Sequence, residues 1–129
     1  NRLANEPNDL EGWRLLALSH LSQRNLDLAQ HAFEQVHRLD PTDIGATLSL
    51  IDVLVTQNNG HITPVSDVLV QEVLQQDPNN TLALWFAYLS AKQYRDINKI
   101  KELESKIELS LPSNDIISQQ IQQQLNRYK

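Results

Sequence analysis

Four prolines cut this chain of 129 residues at nearly equal intervals. Pro7, Pro41, Pro78 and Pro112 stand 34, 37 and 34 residues apart, and each is followed within three residues by Asn or Asp. Proline ends a helix because it lacks an N–H and its ring clashes with the preceding turn, whereas the Asn or Asp after it can cap the next helix. Each proline is therefore a stop followed by a start, and their spacing is an internal repeat. In Asn8-Asp9-Leu10-Glu11 the Asn8 and Glu11 spacing also permits a reciprocal capping box.

Between the prolines the apolar residues recur with helical spacing, and a polar break near the middle divides each period into two helices. The first pair is expected at about 9–23 and 26–39, joined at Arg24-Asn25. The second is expected at about 43–57 and 64–76, with Asn58-Asn59-Gly60-His61 as the turn and Thr63-Pro64 as a cap followed by proline at the first helical position. The three extra residues of the longer period fall in that turn. The third pair is expected at about 80–93 and 97–110, with Asp96 capping its second helix. A last helix, about 114–127, carries Ile116, Ile117, Ile121 and Leu125 on one face and a run of Gln on the other, so it should close the open end of the stack.

Composition agrees with an all-α chain, since only three Gly and five Pro occur. The length is that of one domain, and 40% hydrophobic residues suffice for a core. A net charge of −5 with only 11 Lys and Arg argues against nucleic acid or an anionic membrane surface as partner. No stretch approaches the roughly 20 apolar residues of a membrane span, and the first residues show no signal pattern. The chain has no Met, not even a first one, so it is expected to be a piece of a longer protein whose leader or anchor is not included. Zero Cys excludes disulfides, thiol catalysis and covalent haem attachment to the chain itself.

A 34-residue helix-turn-helix period is the tetratricopeptide (TPR) length. Counting from Leu10, the residues Trp13, Leu16, Ala17, Ala29, Phe33 and Pro41 fall on the TPR pattern of large, small and aromatic positions, with Ala17 in place of Gly. Small Ala17 and Ala29 let two helices approach closely, while Trp13 and Phe33 fill the space between turns. The second repeat, counted from Ile44, departs from the pattern at Thr47 and Ser66 but keeps Leu50, Val70, Val73 and Pro78. The third, counted from Thr81, keeps Leu84, Ala87 and Pro112 but puts Tyr88, Ile100 and Glu104 where small, small and aromatic residues are usual. The chain thus resembles a TPR domain over 1–129, with repeats at about 8–41, 42–78 and 79–112 and a closing helix, which implies an all-α right-handed superhelix.

Three segments carry a narrower resemblance: Glu11-Gly12-Trp13-Arg14-Leu15-Leu16-Ala17, Asn59-Gly60-His61-Ile62-Thr63-Pro64, and Asp77-Pro78-Asn79-Asn80-Thr81-Leu82-Ala83-Leu84-Trp85. With the ending Leu111-Pro112-Ser113-Asn114-Asp115, they make the chain similar to the periplasmic TPR domains of bacterial c-type cytochrome maturation proteins, over nearly its whole length. That resemblance implies a periplasmic, membrane-tethered accessory part of the haem lyase complex. It also implies the partners: the C-terminal segment of an apocytochrome c, or of the nitrite reductase polypeptide, held while haem is attached elsewhere, and the haem lyase subunits themselves. A TPR adaptor in another envelope assembly and a structural subunit with a permanently filled groove are the rival expectations.

In a TPR stack the first helix of each pair lines the concave side, at its second, fifth, ninth and twelfth positions. Those positions are Glu11, Arg14, Leu18 and Leu21, then Gly45, Leu48, Asp52 and Val55, then Leu82, Trp85, Leu89 and Lys92, with Phe86 beside them. The expected peptide-binding contacts are therefore Arg14, Leu18, Leu48, Asp52, Val55, Leu82, Trp85, Phe86, Leu89 and Lys92, with Arg14 or Lys92 meeting a peptide carboxylate. No catalytic residue, cofactor or metal is expected. His20, His31, His37 and His61 include no pair four apart and no HExxH, and phosphate loops and nucleophile motifs are missing.

Overall fold

The computed structural model describes residues 8–110 and 116–128, which form seven α-helices and, among the described residues, no strand. They are α1 (Leu10–Ser22), α2 (Leu26–Leu39), α3 (Ile44–Gln57), α4 (Pro64–Gln76), α5 (Thr81–Gln93), α6 (Ile97–Ser110) and α7 (Ile116–Tyr128). The chain divides into two compact units, Asn1–Leu69 and Val70–Lys129. In the first, α1 packs on α2 and α2 on α3; in the second, α5 packs on α6. Pro7, Pro112 and the cap expected after Pro112 lie outside the described residues, as do the side chains of Ile116 and Ile117.

The starts of the helices obey one rule. Two residues after Pro41 and Pro78, a short polar side chain accepts the N–H three residues on: Asp43 Oδ1 from Ala46 at 3.0 Å and Asn80 Oδ1 from Ala83 at 2.9 Å. Asp9, two residues after Pro7 in sequence, does the same for Gly12 at 3.1 Å. The first cap is thus Asp9 rather than Asn8, and Glu11 turns to Arg14 instead of back to the cap. Thr63 Oγ1 accepts from the Ser66 N–H at 3.1 Å and Asp96 Oδ1 from the Lys99 N–H at 3.2 Å, as their positions in the sequence suggest. Each satisfies a helix-end donor that would otherwise lack an intrahelical partner.

The turns inside the repeats also share one closure. The Asn25, Gly60 and Asp96 N–H groups donate to the carbonyls of His20, Val55 and Ala91, five residues back, and the residue before each donates three back. This is the Schellman arrangement, which needs a left-handed residue just past the helix. Asn59 takes that role in the second repeat, but Arg24 and Arg95 take it in the others at φ +61 and +58. A side chain with a β-carbon is strained there, and Asn tolerates the conformation best after Gly. Arg24→Asn and Arg95→Asn are each expected to raise stability by up to about 1 kcal/mol, read as a later urea midpoint at unchanged slope; a lower midpoint would show that the arginine side chain contributes more than the strain it carries.

The unusual residues of the later repeats fit without loose ends. Thr47 is buried where Trp13 stands in the first repeat, and its hydroxyl donates to the Asp43 carbonyl at 3.1 Å. Ser66 is buried at the Ala29 position with its hydroxyl 2.9 Å from that of Thr63. In the third repeat Tyr88, 0% exposed, fills a position that is Ala in the first, and its hydroxyl points to Glu104 Oε1 at 3.4 Å. A large residue on one helix and a small-bodied polar one on the other exchange the roles of Ala17 and Phe33. In the second unit Ile100, Leu103 and Ile107 form the buried stripe of α6, and Ile121 and Leu125 that of α7, whose Gln119, Gln120 and Gln123 face solvent. Trp13 is half-buried, edge-on to His31 with ring centres 5.5 Å apart, whereas Phe33 is a full core residue.

Candidate functional site

On α5, buried positions surround most of the helix: Ala83, Leu84, Phe86, Ala87, Tyr88, Ser90 and Ala91. Apart from Thr81 and Gln93 at its ends, what is left is the lane Leu82, Trp85, Leu89 and Lys92, spaced three, four and three residues apart so that they lie along one side. Leu82 is 43% exposed and the other three are half-buried. Trp85 lies nearly parallel to the Tyr88 ring, 25° off, with centres 5.5 Å apart, and Lys92 Nζ sits 5.6 Å from the centre of the same ring. Tyr88 thus forms a buried backing that holds an indole and an ammonium in place. Phe86, expected beside the lane, is only 8% exposed and is a packing residue, because it points to the side of α5 occupied by the core.

In the first unit the corresponding lanes run along α1 and α3. Leu18 is 56% exposed, Asp52 is exposed and Leu48 is half-buried. Val55 is 7% exposed, and this corrects its assignment to an open surface: it lies in the last turn of α3, a helix that also buries Ala46, Thr47, Leu50, Ile51 and Val53. Between the α1 and α3 lanes is a pocket of about 220 Å³, lined by Leu18, Phe33 of α2, Ala46 and Ser49 together with Arg14 and Asp43. Gly45, at the first turn of α3, leaves that side open, since a β-carbon there would meet only Asp43 Oδ1 at 3.6 Å.

Arg14 is engaged by its own chain. Its Nε donates to Asp43 Oδ2 at 2.8 Å, Nη2 to Asp40 Oδ2 at 3.4 Å, and Nη1 to Glu11 one turn back. Asp43 therefore caps α3 with one oxygen and takes Arg14 with the other, so the guanidinium brackets α1 to the turn between α2 and α3. The Asp43 hydrogen bond chiefly raises the already high proton affinity of Arg14, against some desolvation, with Glu11 adding to it. The expected role of Arg14 in meeting a peptide carboxylate gives way, because three carboxylates already face its donors. No spacing rule in the sequence points to that triad, since Asp40 and Asp43 lie in another helix-turn unit.

Asp40 is held below the ordinary carboxylate value of 3.8, first by the 2.6 Å hydrogen bond from Thr42 Oγ1, against partial desolvation, and then by the Thr42 N–H and the Arg14 charge. A carboxyl with a lowered folded value stabilises the fold above its ordinary value and stops doing so as pH falls through the folded one. Asp40→Asn is therefore expected to flatten the loss of stability below about pH 4, followed by circular dichroism during acid titration. An unchanged acid slope would place the sensitive group elsewhere.

The histidines do not converge. His31 meets Trp13, His61 Nδ1 lies 3.2 Å from the Asn58 carbonyl and closes the turn, and His20 buries Nδ1 without a hydrogen-bond partner. Among the described residues no three His, Asp or Glu side chains gather as a metal-holding group, and no helix is long and apolar enough to cross a membrane.

The family model of the cytochrome c-type biogenesis protein H TPR domain matches residues 1–117. The chain is similar to cytochrome c-type biogenesis protein CcmH of Escherichia coli (strain K12), at 26% identity over 115 residues, which is 88% of this chain and 33% of that protein. It is also similar to cytochrome c-type biogenesis protein CycH of Rhizobium meliloti (strain 1021), at 31% identity over 96 residues, 72% of this chain and 24% of that protein. The chain thus spans about a third or less of the length of these relatives. The repeat period, the capped helix pairs and this match over most of the chain agree: it belongs to the TPR-domain family of the cytochrome c-type biogenesis protein H.

Proposed function

We propose that this domain is a non-catalytic peptide-binding module of cytochrome c maturation, which captures the C-terminal segment of an apocytochrome c, or of a nitrite reductase polypeptide, for the haem lyase complex. The observation that carries this reading is the lane Leu82, Trp85 and Leu89 on α5, an apolar strip left partly open on a helix otherwise buried. Such a strip suits the apolar face of a helix or alternate side chains of an extended segment. Burial of one large side chain contributes roughly 1.5–3 kcal/mol, so two or three anchors reach micromolar affinity after ordering losses. Lys92, at the end of the lane, offers an ammonium to a peptide carboxylate, a free C-terminus included. Leu18 and Leu48 give the first unit its own apolar contacts. The names of the relatives supply the process, and the full protein is then periplasmic and tethered at the membrane, with haem lyase subunits as neighbours.

Calorimetric titration with synthetic C-terminal peptides of the host's c-type cytochromes, against scrambled controls, tests this directly. Saturable binding that scrambling abolishes is the expected result. A folded, monomeric domain that binds none of them would move the function to another partner; dimers that dissociate on dilution would favour a groove filled by a second copy.

A further inference from the structure

The pocket beside Arg14 has a different chemistry from the α5 lane. Its volume of about 220 Å³ falls below the roughly 300–1,000 Å³ of small-molecule sites, so it suits one side chain of a larger ligand. Its lining is largely apolar, from Leu18, Phe33 and Ala46, and its charged members are Arg14 and Asp43. Three carboxylates, Glu11, Asp40 and Asp43, surround the single guanidinium of Arg14, a net of −2 among the four groups. Asp43 is itself a lining residue and Glu11 is exposed, so an occupant of the pocket lies within their field. A second carboxylate arriving there would meet repulsion and find the arginine donors facing acids already, whereas a Lys or Arg side chain would complete the charge balance.

We infer that the pocket between α1 and α3 binds an apolar side chain of a polypeptide segment that carries a Lys or Arg beside it on the same face, and discriminates against an acidic residue in that place. This rests on the peptide-binding reading and makes it specific, because an apolar-plus-basic patch is required of the segment that docks here. Selectivity comes from the carboxylates gathered around Arg14 and anchoring from the apolar lining. Gly45 lines the pocket, and a β-carbon there would meet only Asp43 Oδ1 at 3.6 Å, so a larger side chain at this position has room to enter it.

Two designed helical peptides, identical except for Lys or Glu one turn from a single Leu, separate this inference from the cytochrome reading when each is titrated into the isotope-labelled chain. The Lys peptide should bind about tenfold more tightly at low salt, shift the amide signals of Leu18, Ala46 and Ser49, and lose most of its advantage at high salt. Gly45→Phe, which fills the entrance, should abolish binding there, and Glu11→Gln with Asp40→Asn should erase the Lys preference while leaving the apolar contact. Equal binding of the two peptides, no binding of either, or a Lys preference that survives both variants would overturn the inference. Failure of the cytochrome peptides while the Lys peptide binds at these amides would overturn the cytochrome reading alone.

Discussion

Tyr88→Ala should cost the fold about 3–5 kcal/mol, the range of large aromatic truncations in a packed core. Tyr88 is 0% exposed, backs the Trp85 ring and fills, in the third repeat, a position that is Ala in the first. Removing it leaves a void in the third repeat and takes away the hydroxyl that donates to Glu104, while Ile100 is already buried on α6. It also removes the ring face over which the Lys92 ammonium sits. In a short array of departed repeats, a loss of this size is a large fraction of total stability. Tyr88→Phe is the control: it keeps the ring, deletes the hydroxyl with its long hydrogen bond to Glu104, and should cost about 1 kcal/mol. Urea unfolding of the two variants decides the matter. An Ala variant as stable as the Phe variant would mean that the third repeat is not built around this ring.

Much of this architecture could be read from the sequence because its markers are local. A proline with a polar residue two positions on fixes a helix start through bonds confined to four residues, so Asp43 and Asn80 declare themselves without any tertiary information. The helix ends were legible for the same reason, as at Arg24-Asn25 and Asn59-Gly60, although the left-handed conformation of Arg24 and Arg95 was not, since arginine is a poor marker for it. The candidate surface was less legible because exposure is decided by what packs against a helix. Register placed Leu82, Trp85 and Leu89 on one lane of α5, and they are the residues left partly open. It could not tell that Phe86, one position on from Trp85, turns into the core, nor that Val55 in the last turn of α3 is buried. Arg14 is the sharpest case. Its partners Asp40 and Asp43 are 26 and 29 residues away, and only the folded turn between α2 and α3 brings them to it, converting an apparent cation for the ligand into a bracket within an acidic rim.

Trp85→Ala is expected to weaken binding of a cytochrome C-terminal peptide about 10- to 100-fold, the effect of losing roughly 1.5–3 kcal/mol of apolar burial at a central aromatic anchor. The geometry favours so large a share for one residue. Stacked on a fully buried ring, the indole is held in one orientation before any ligand arrives, so little rotamer freedom is lost on binding. Leu82 and Leu89 flank it along the lane and can exclude water around it, and Lys92 adds charge at one end. The half-burial limits the cost to folding to the lost ring pair, about 0.5–1.5 kcal/mol, plus the part of the indole surface that is already buried. Trp85→Phe should retain the stack and most of the affinity. Thermal melting and calorimetric titration on the same three proteins separate the alternatives: matched losses of affinity and stability would make Trp85 a core residue, while unchanged affinity would remove the α5 lane from the binding surface even if the peptide still binds. A loss of affinity exceeding the loss of stability is the outcome that the pair leads one to expect, because Trp85 keeps exposed surface for a partner whereas Tyr88 is fully buried.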